Sequence, residues 1–269
     1  EADLNLEVAK NLYSYLADDK KYAVFVTRDF QTGDYTPTFS TYFETQAEAI
    51  KTFRDQSKYN TALLSSKNLF SKSEASNRVA ANSTSARLYG INKWANEQKV
   101  DIALHIHFND SPRRSTASGK YSGFIIYVPE SELGNSQASI DLAKSLYAQL
   151  DMVLPKSDFE TSGSGVVENQ ELIALGSNAS LKGIGILAEY GFVYEPQFQD
   201  DATRRAMTRE MAYQTYQGLK NYFTKKEPTN TTTLLPFRWE RSLTQDARPD
   251  GDVLALQAAL HRISLYPPP

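Results

Sequence analysis

Apolar residues recur along this chain with two periods. Leu4, Val8, Leu12 and Leu16 fall four apart, with Leu6 beside them, and predict an amphipathic helix over 2–18. Residues 22–27 (Tyr-Ala-Val-Phe-Val-Thr) form a continuous apolar run that predicts a buried strand ending at Arg28. The polar and aromatic stretch 29–43 predicts a loop with an extended segment. Thr45 to Tyr59 predicts a helix, with Thr45 as N-cap and Glu48 at the capping-box spacing. Residues 61–84 are rich in Ser and Asn, have no period, and predict a long loop. Further on, the pattern predicts a helix over 85–98, strands over 101–107 and 121–128, a helix over 139–150, a strand over 183–189 and a long helix over 202–224. Buried strands alternating with helices predict an α/β fold. The expected sheet is mainly parallel or mixed, with about five to six strands flanked by helices.

The pattern changes at Lys225. Residues 225–233 contain no apolar side chain and read as the start of a linker extending to 236. After it come Phe237, Trp239 and a helical run, Asp252 to Leu260, which predict a small helical C-terminal segment over 237–269 that is cut short. The chain starts at Glu1 without Met and runs straight into a helical pattern, so both ends read as incomplete. No internal repeat is visible.

Composition narrows the function classes. Hydrophobic residues make up 41% and charged residues 23%, as in ordinary globular proteins. A net charge of -3 and a pI near 5.7 give no electrostatic case for nucleic acid or an anionic membrane. No apolar run approaches the roughly 20 residues needed to span a bilayer. With no cysteine, disulfides, thiolate metal sites and thiol catalysis are excluded. Only three histidines exist, His105, His107 and His261, so any metal site draws on these and on carboxylates.

Two apolar runs deliver ionisable groups. Residues 101–110 carry His105 and His107 and run out into Asn109 and Asp110; residues 183–189 end in Glu189, before Gly191. A buried charge is costly unless it has a task or a partner. Side chains repeat every second residue in a strand, so His105 and His107 share a face. Ligands of α/β sheets gather at the carboxyl ends of strands, where His107 stands. His107 reads equally as a zinc ligand or as a hydrogen-bonded strand-end histidine. His105 reads as a ligand, a supporting partner or a core histidine. Glu189 reads as a general base or as a salt-bridged strand-end carboxylate. Glu1 alone reads as a charge favourable to the helix dipole. Arg28, Arg87 and Asn92 are polar residues near element ends, more often structural than catalytic, and His261 reads as a surface residue. Together the two runs point to a hydrolytic zinc site.

These motifs, in this order, resemble the zinc-dependent N-acetylmuramoyl-L-alanine amidases of amidase type 3, over residues 1 to about 224. Glu1 through Leu6 resembles the family's helix that opens on a metal-binding Glu and carries an Asn-Leu pair. Residues 24–28 resemble its V-x-x-T-R strand, and Arg87 to Asn92 its R-x-x-x-x-N helix. Residues 106–109 resemble I-H-x-N, and 189–192 resemble E-x-G-F. The resemblance implies that Glu1 and His107 hold zinc and that Glu189 is the catalytic carboxylate. His105, where the family commonly has Ser, Asn109 and Arg87 would support them. The family's earlier His ligand, in an H-G-G-x-D context, has no counterpart here. The resemblance therefore implies a missing ligand and core strand, and weak zinc binding by the chain as given. Residues 251–260 resemble the opening of a small helical peptidoglycan-binding domain. The implied organisation is a catalytic domain over 1–224, a linker over 225–236 and a wall-binding segment over 237–269. The implied substrate is peptidoglycan, hydrolysed by a monomer acting outside the cell, in the periplasm or on the wall. Two other readings stand: a non-catalytic wall-binding protein on the same scaffold, and a His-x-His metallohydrolase using His105 with His107.

Overall fold

The computed structural model describes residues 2–69, 82–110, 119–159, 165–169, 172–175, 182–227, 233–235, 241–248, 250–263 and 265. Their elements run α1 (Ala2–Asp19), α2 (Pro37–Thr45), α3 (Ala47–Ser66), α4 (Asn82–Glu97), β1 (Ile102–Asn109), β2 (Ile125–Val128), α5 (Ser136–Leu150), β3 (Val166–Glu168), β4 (Ile184–Phe192), α6 (Asp201–Thr224) and α7 (Gly251–Arg262). The fold is α/β. Among the described residues the strands form one four-stranded mixed sheet in the order β1-β4-β2-β3. β1 runs parallel to β4, β2 antiparallel to β4, and β3 parallel to β2. The strands are thus fewer than the five to six expected.

Alternation along the strands separates two faces. Leu104, Ile106, Phe108, Ile126, Val128, Ile186, Ala188 and Tyr190 join the main core. That core is closed by α1, α5 and α6, whose Leu4, Val8, Leu12, Leu142, Leu146, Met207 and Met211 are buried. α5 and α6 approach closely at Gly218, where a Cβ would lie 2.8 Å from the Leu146 backbone. The other face is smaller: Ile125, Tyr127 and Leu187 pack with Val167, Ala174 and Leu175. α4 lies on this second side, where Asn92 Nδ2 donates to the Ile173 carbonyl at 2.6 Å.

Three sequence expectations are corrected. Residues 22–26 form no strand: no ladder partner pairs with them among the described residues, and Phe25 is 51% exposed, leaning on Trp94. An apolar run becomes a strand only where a neighbour takes its backbone hydrogen bonds. Residues 37–43, expected within a loop, are helical as part of α2. Thr36 caps them by accepting from the Phe39 amide, and Pro37 supplies a helical φ at the first turn. Thr45 therefore ends α2 and does not cap α3, whose N-cap position is Gln46 with no side-chain cap bond. α3 continues to Ser66, and the remainder of the expected loop, 70–81, lies outside the described residues.

The C-terminal stretch packs on the main core. Buried Glu210 of α6 accepts the Leu234 amide at 2.6 Å, and Leu235 is buried beside it. α7 is capped by Asp250, which accepts from the Val253 amide, and it buries Leu254, Ala255 and Ala258. His261, expected at the surface, is half-buried with Nε2 2.6 Å from the Asp151 carbonyl.

Three tyrosines of this core carry a pH signature. Burial foremost, with Asp151 beside Tyr147 and Asp19 beside Tyr216, pushes Tyr147, Tyr190 and Tyr216 up to about 12. In the unfolded chain a phenol loses its proton near pH ~10. Their stabilisation is therefore fully present below about pH 10 and is lost as pH rises through about 12. Thermal melts are expected to hold steady up to that lower bound and then fall. The last part of the tyrosinate absorbance should appear in step with unfolding, and appearance of all tyrosinates well before unfolding would contradict the burial.

Candidate active site

β1 and β4 meet in a register that brings the two sequence motifs together. His107 pairs directly with Glu189, and His105 with Leu187. On its other edge β4 pairs Glu189 with Ile125 and Leu187 with Tyr127. Directly paired residues share a face about 4.8 Å apart. His107, Glu189 and Ile125 thus form one row across the second face, and His105, Leu187 and Tyr127 form the row before it. The two histidines and Glu189 are each half-buried.

One step beyond this row the ladder is irregular. Asn109 pairs with Phe192, so β4 carries one more residue than β1 between the last two pairs. Such bulges bend a strand and re-aim side chains. Here the bulge makes His107 and Glu189 the last pair before the ladder becomes irregular. Asn109 closes the irregular step by accepting the Val193 amide at 3.0 Å.

The start of β4 is fixed by α5. Asn135 Nδ2 donates to the Gly183 carbonyl at 2.9 Å, and Ser139 Oγ accepts the Gly185 amide at 3.1 Å. Its end is fixed by Glu195, a residue that sequence reasoning missed. Glu195 Oε1 accepts the Phe192 amide at 2.6 Å and the Gly123 amide at 3.2 Å, while Oε2 accepts from Gln197 at 2.7 Å. Burial raises its pKa against the lowering effect of those hydrogen bonds. Gly123 must be glycine: its φ is +84°, and a Cβ there would fall 2.5 Å from the Lys156 carbonyl oxygen. A lone Glu six residues beyond Glu189 carries no pattern that would have marked it.

Burial sets the protonation of the imidazoles. It pushes His105 down to about 4, with His107 adding to the effect, and it lowers His107 as well. Both rings are neutral at neutral pH and keep a lone pair for a cation, which is the donor state zinc requires. Among the described residues no group of three His, Cys, Asp or Glu gathers round one point. Glu1 and residues 111–118 lie outside the described residues. Arg87 stands on α4 with its guanidinium over the rings of Tyr35 and Phe43.

Comparison with known proteins adds a family to this geometry. Among solved structures, the chain is similar to the CwlD amidase from Clostridioides difficile in complex with the GerS lipoprotein. The two share 15% identity over 83% of this chain and 86% of that one, with a TM-score of 0.49. It is also similar to the N-acetylmuramyl-L-alanine amidase Ami1 from Mycobacterium smegmatis, at 15% identity over 52% and 61% of the chains and a TM-score of 0.40. Apo Ami1 from Mycobacterium abscessus gives 15%, 74% and 83%, and 0.38. No curated protein matches the chain. The family model described as N-acetylmuramoyl-L-alanine amidase matches residues 1–221, most of the chain and all of its sheet, and the chain belongs to that family.

Proposed function

We propose that this chain hydrolyses the amide between the lactyl group of N-acetylmuramic acid and L-alanine in peptidoglycan, with zinc at the site. The observation that carries this reading is the register pair of His107 and Glu189 at the open end of the sheet. A neutral imidazole and a carboxylate side by side are the donor and proton carrier that such a hydrolysis needs. A neutral imidazole is a donor that zinc takes: His107 would hold it, together with Glu1, which lies outside the described residues. When bound, zinc polarises the carbonyl and lowers the pKa of water to about 7.

The remaining work falls to the chain. Glu189 accepts one proton from the attacking water as its oxygen bonds to the carbonyl carbon. It then gives that proton to the α-amine as the C–N bond breaks, leaving a lactyl carboxylate and a free amino terminus. His105, neutral and half-buried behind His107, keeps positive charge away from the donor ring. Asn109 and the bulge set where the β1–β4 ladder ends beyond His107.

In this reading the protein works at the wall, outside the cell or in the periplasm, and as a monomer. The segment 237–269 would add a wall-binding surface that raises local substrate concentration. Among the described residues no helix is long and apolar enough to cross a membrane. Digestion of purified peptidoglycan, with zinc and after chelation, tests the proposal by mass analysis of products. Zinc-dependent release of stem peptides with free L-alanine amino termini is expected. Tight wall binding without that product would replace the enzyme by a binding module.

A further inference from the structure

Two helices end at one corner of the molecule in the same way. Arg204 Nε lies 3.2 Å from Glu7, the rings of Tyr213 and Tyr216 meet that of Tyr15, and Tyr216 donates to Asp19 at 2.8 Å. α1 and α6 therefore run side by side in one direction. Each ends on a lysine in the left-handed region, Lys20 at φ 54° and Lys225 at φ 50°. Each of these is followed by a second lysine, Lys21 and Lys226. Glycine is the usual occupant of such a position, because it has no Cβ to clash there. A lysine brings a cation to the helix end at a steric cost that glycine avoids.

An aromatic contact joins the two ends. Phe223 is 52% exposed, with its ring centroid 6.2 Å from that of Tyr22 and 5.3 Å from that of Tyr222. Lys220 Nζ lies 5.2 Å from the centre of the Tyr216 ring. Asp19 is occupied, since it accepts from Tyr216 and lies 3.6 Å from Lys21. Residues 18–22 and 220–227 together carry five lysines against three carboxylates, Asp18, Asp19 and Glu227. Lys20, Lys225 and Lys226 are exposed and, among the described residues, pair with no carboxylate. The whole-chain charge of -3 thus conceals a corner of the opposite sign. The chemistry proposed above uses none of these groups.

We propose that this corner docks the protein on an anionic lipid surface. The lysine ammonium groups meet the headgroup phosphates. The Phe223 ring, with Tyr22 and Tyr222 beside it, enters the interfacial layer, where aromatic side chains are at home. Long lysine stems let the charges stay at headgroup level as the ring goes in. A soluble phosphate polymer would satisfy the lysines alone and leave Phe223 in water, so the exposed ring favours lipid. The proposal is independent of the amidase reading.

Sedimentation of the 269-residue chain with two sets of vesicles tests this, one of phosphatidylcholine alone and one of equal parts phosphatidylcholine and phosphatidylglycerol. Binding to the anionic set is expected to be about tenfold tighter than to the neutral set and to weaken as salt is raised. Lys225→Gln with Lys226→Gln should weaken it about tenfold. Phe223→Ser should weaken it about fivefold through the lost ring. Lys51→Gln with Lys58→Gln, on exposed positions of α3, removes the same charge and should leave binding within about twofold of the wild type. Circular dichroism and melting curves establish that the variants are folded. Equal binding to both vesicle sets overturns the proposal, as does equal weakening by the α3 pair. Loss in the Lys225 and Lys226 variant with full binding by Phe223→Ser overturns it too, and assigns the corner to a soluble polyanion.

Discussion

Glu189→Gln is expected to lower turnover about a thousandfold, within the range lost when a general acid-base group is removed. That corresponds to about 4 kcal/mol of barrier. Gln has the same shape, so the β4 pairs with His107 on one side and Ile125 on the other survive. What disappears is the ability to accept a proton from water and return it to the amine. Stability should hold, because Gln keeps the shape of the side chain and the backbone pairs of β4. Zinc content should remain near that of the wild type, since Glu189 is the proton carrier and not a ligand in the proposed mechanism. Steady-state rates and metal analysis on the same preparation separate the two roles. Retained turnover would remove Glu189 from catalysis. Turnover lost together with the metal would make it a ligand.

His107 and Glu189 of the candidate site stood out in the sequence, but their adjacency did not. The apolar runs 101–107 and 183–189 became β1 and β4 because both are buried on one face by α1, α5 and α6. The two-residue spacing of His105 and His107 already placed them on one face. The pairing of His107 with Glu189 depends on a register between strands about eighty residues apart, which no local pattern encodes. The bulge after that pair is equally invisible, because it arises from the Phe192 turn that Glu195 fastens. β3 was missed because three residues, Val166 to Glu168, are too few to set a period. The run 22–27 misled in the opposite sense: its composition suits a strand, but strand formation is decided by a neighbour. The helix at 37–45 was hidden by aromatic and β-branched residues of modest helix propensity, and tertiary packing of Phe39 overrode that.

The division of the sheet into two faces also explains how one strand serves two ends. β1 alternates His105 and His107 toward the site with Leu104, Ile106 and Phe108 toward the core. The position of His107 is therefore set from behind by the packing of its neighbours. Glu195 does the same for β4 from beyond the site, by joining Phe192 to Gly123 at the entry to β2. Positioning here comes from the backbone that core and clamp hold in place.

Phe108→Ala is expected to cost about 3–5 kcal/mol of stability, the range for removing a buried aromatic ring. Phe108 is 1% exposed. Its ring centroid lies 5.0 Å from that of Phe198, edge on, and 6.0 Å from that of Tyr190. Removing it opens a void under the end of β1, bounded by β4 and by the turn that follows it, neither of which can collapse without breaking the β1–β4 ladder. Against a total stability of about 5–15 kcal/mol for a domain, this loss is large. The loss falls beside the proposed catalytic pair, since Phe108 lies between His107 and Asn109 at the step where the register shifts. Turnover per folded molecule should therefore fall as well, which a distant core truncation such as Leu142→Ala should not produce. Urea titrations give the stability, and rates normalised to folded protein give the second effect. Phe108→Leu should recover most of both. A stability loss below about 1 kcal/mol would mean that the ring is not the support of β1 that its packing describes.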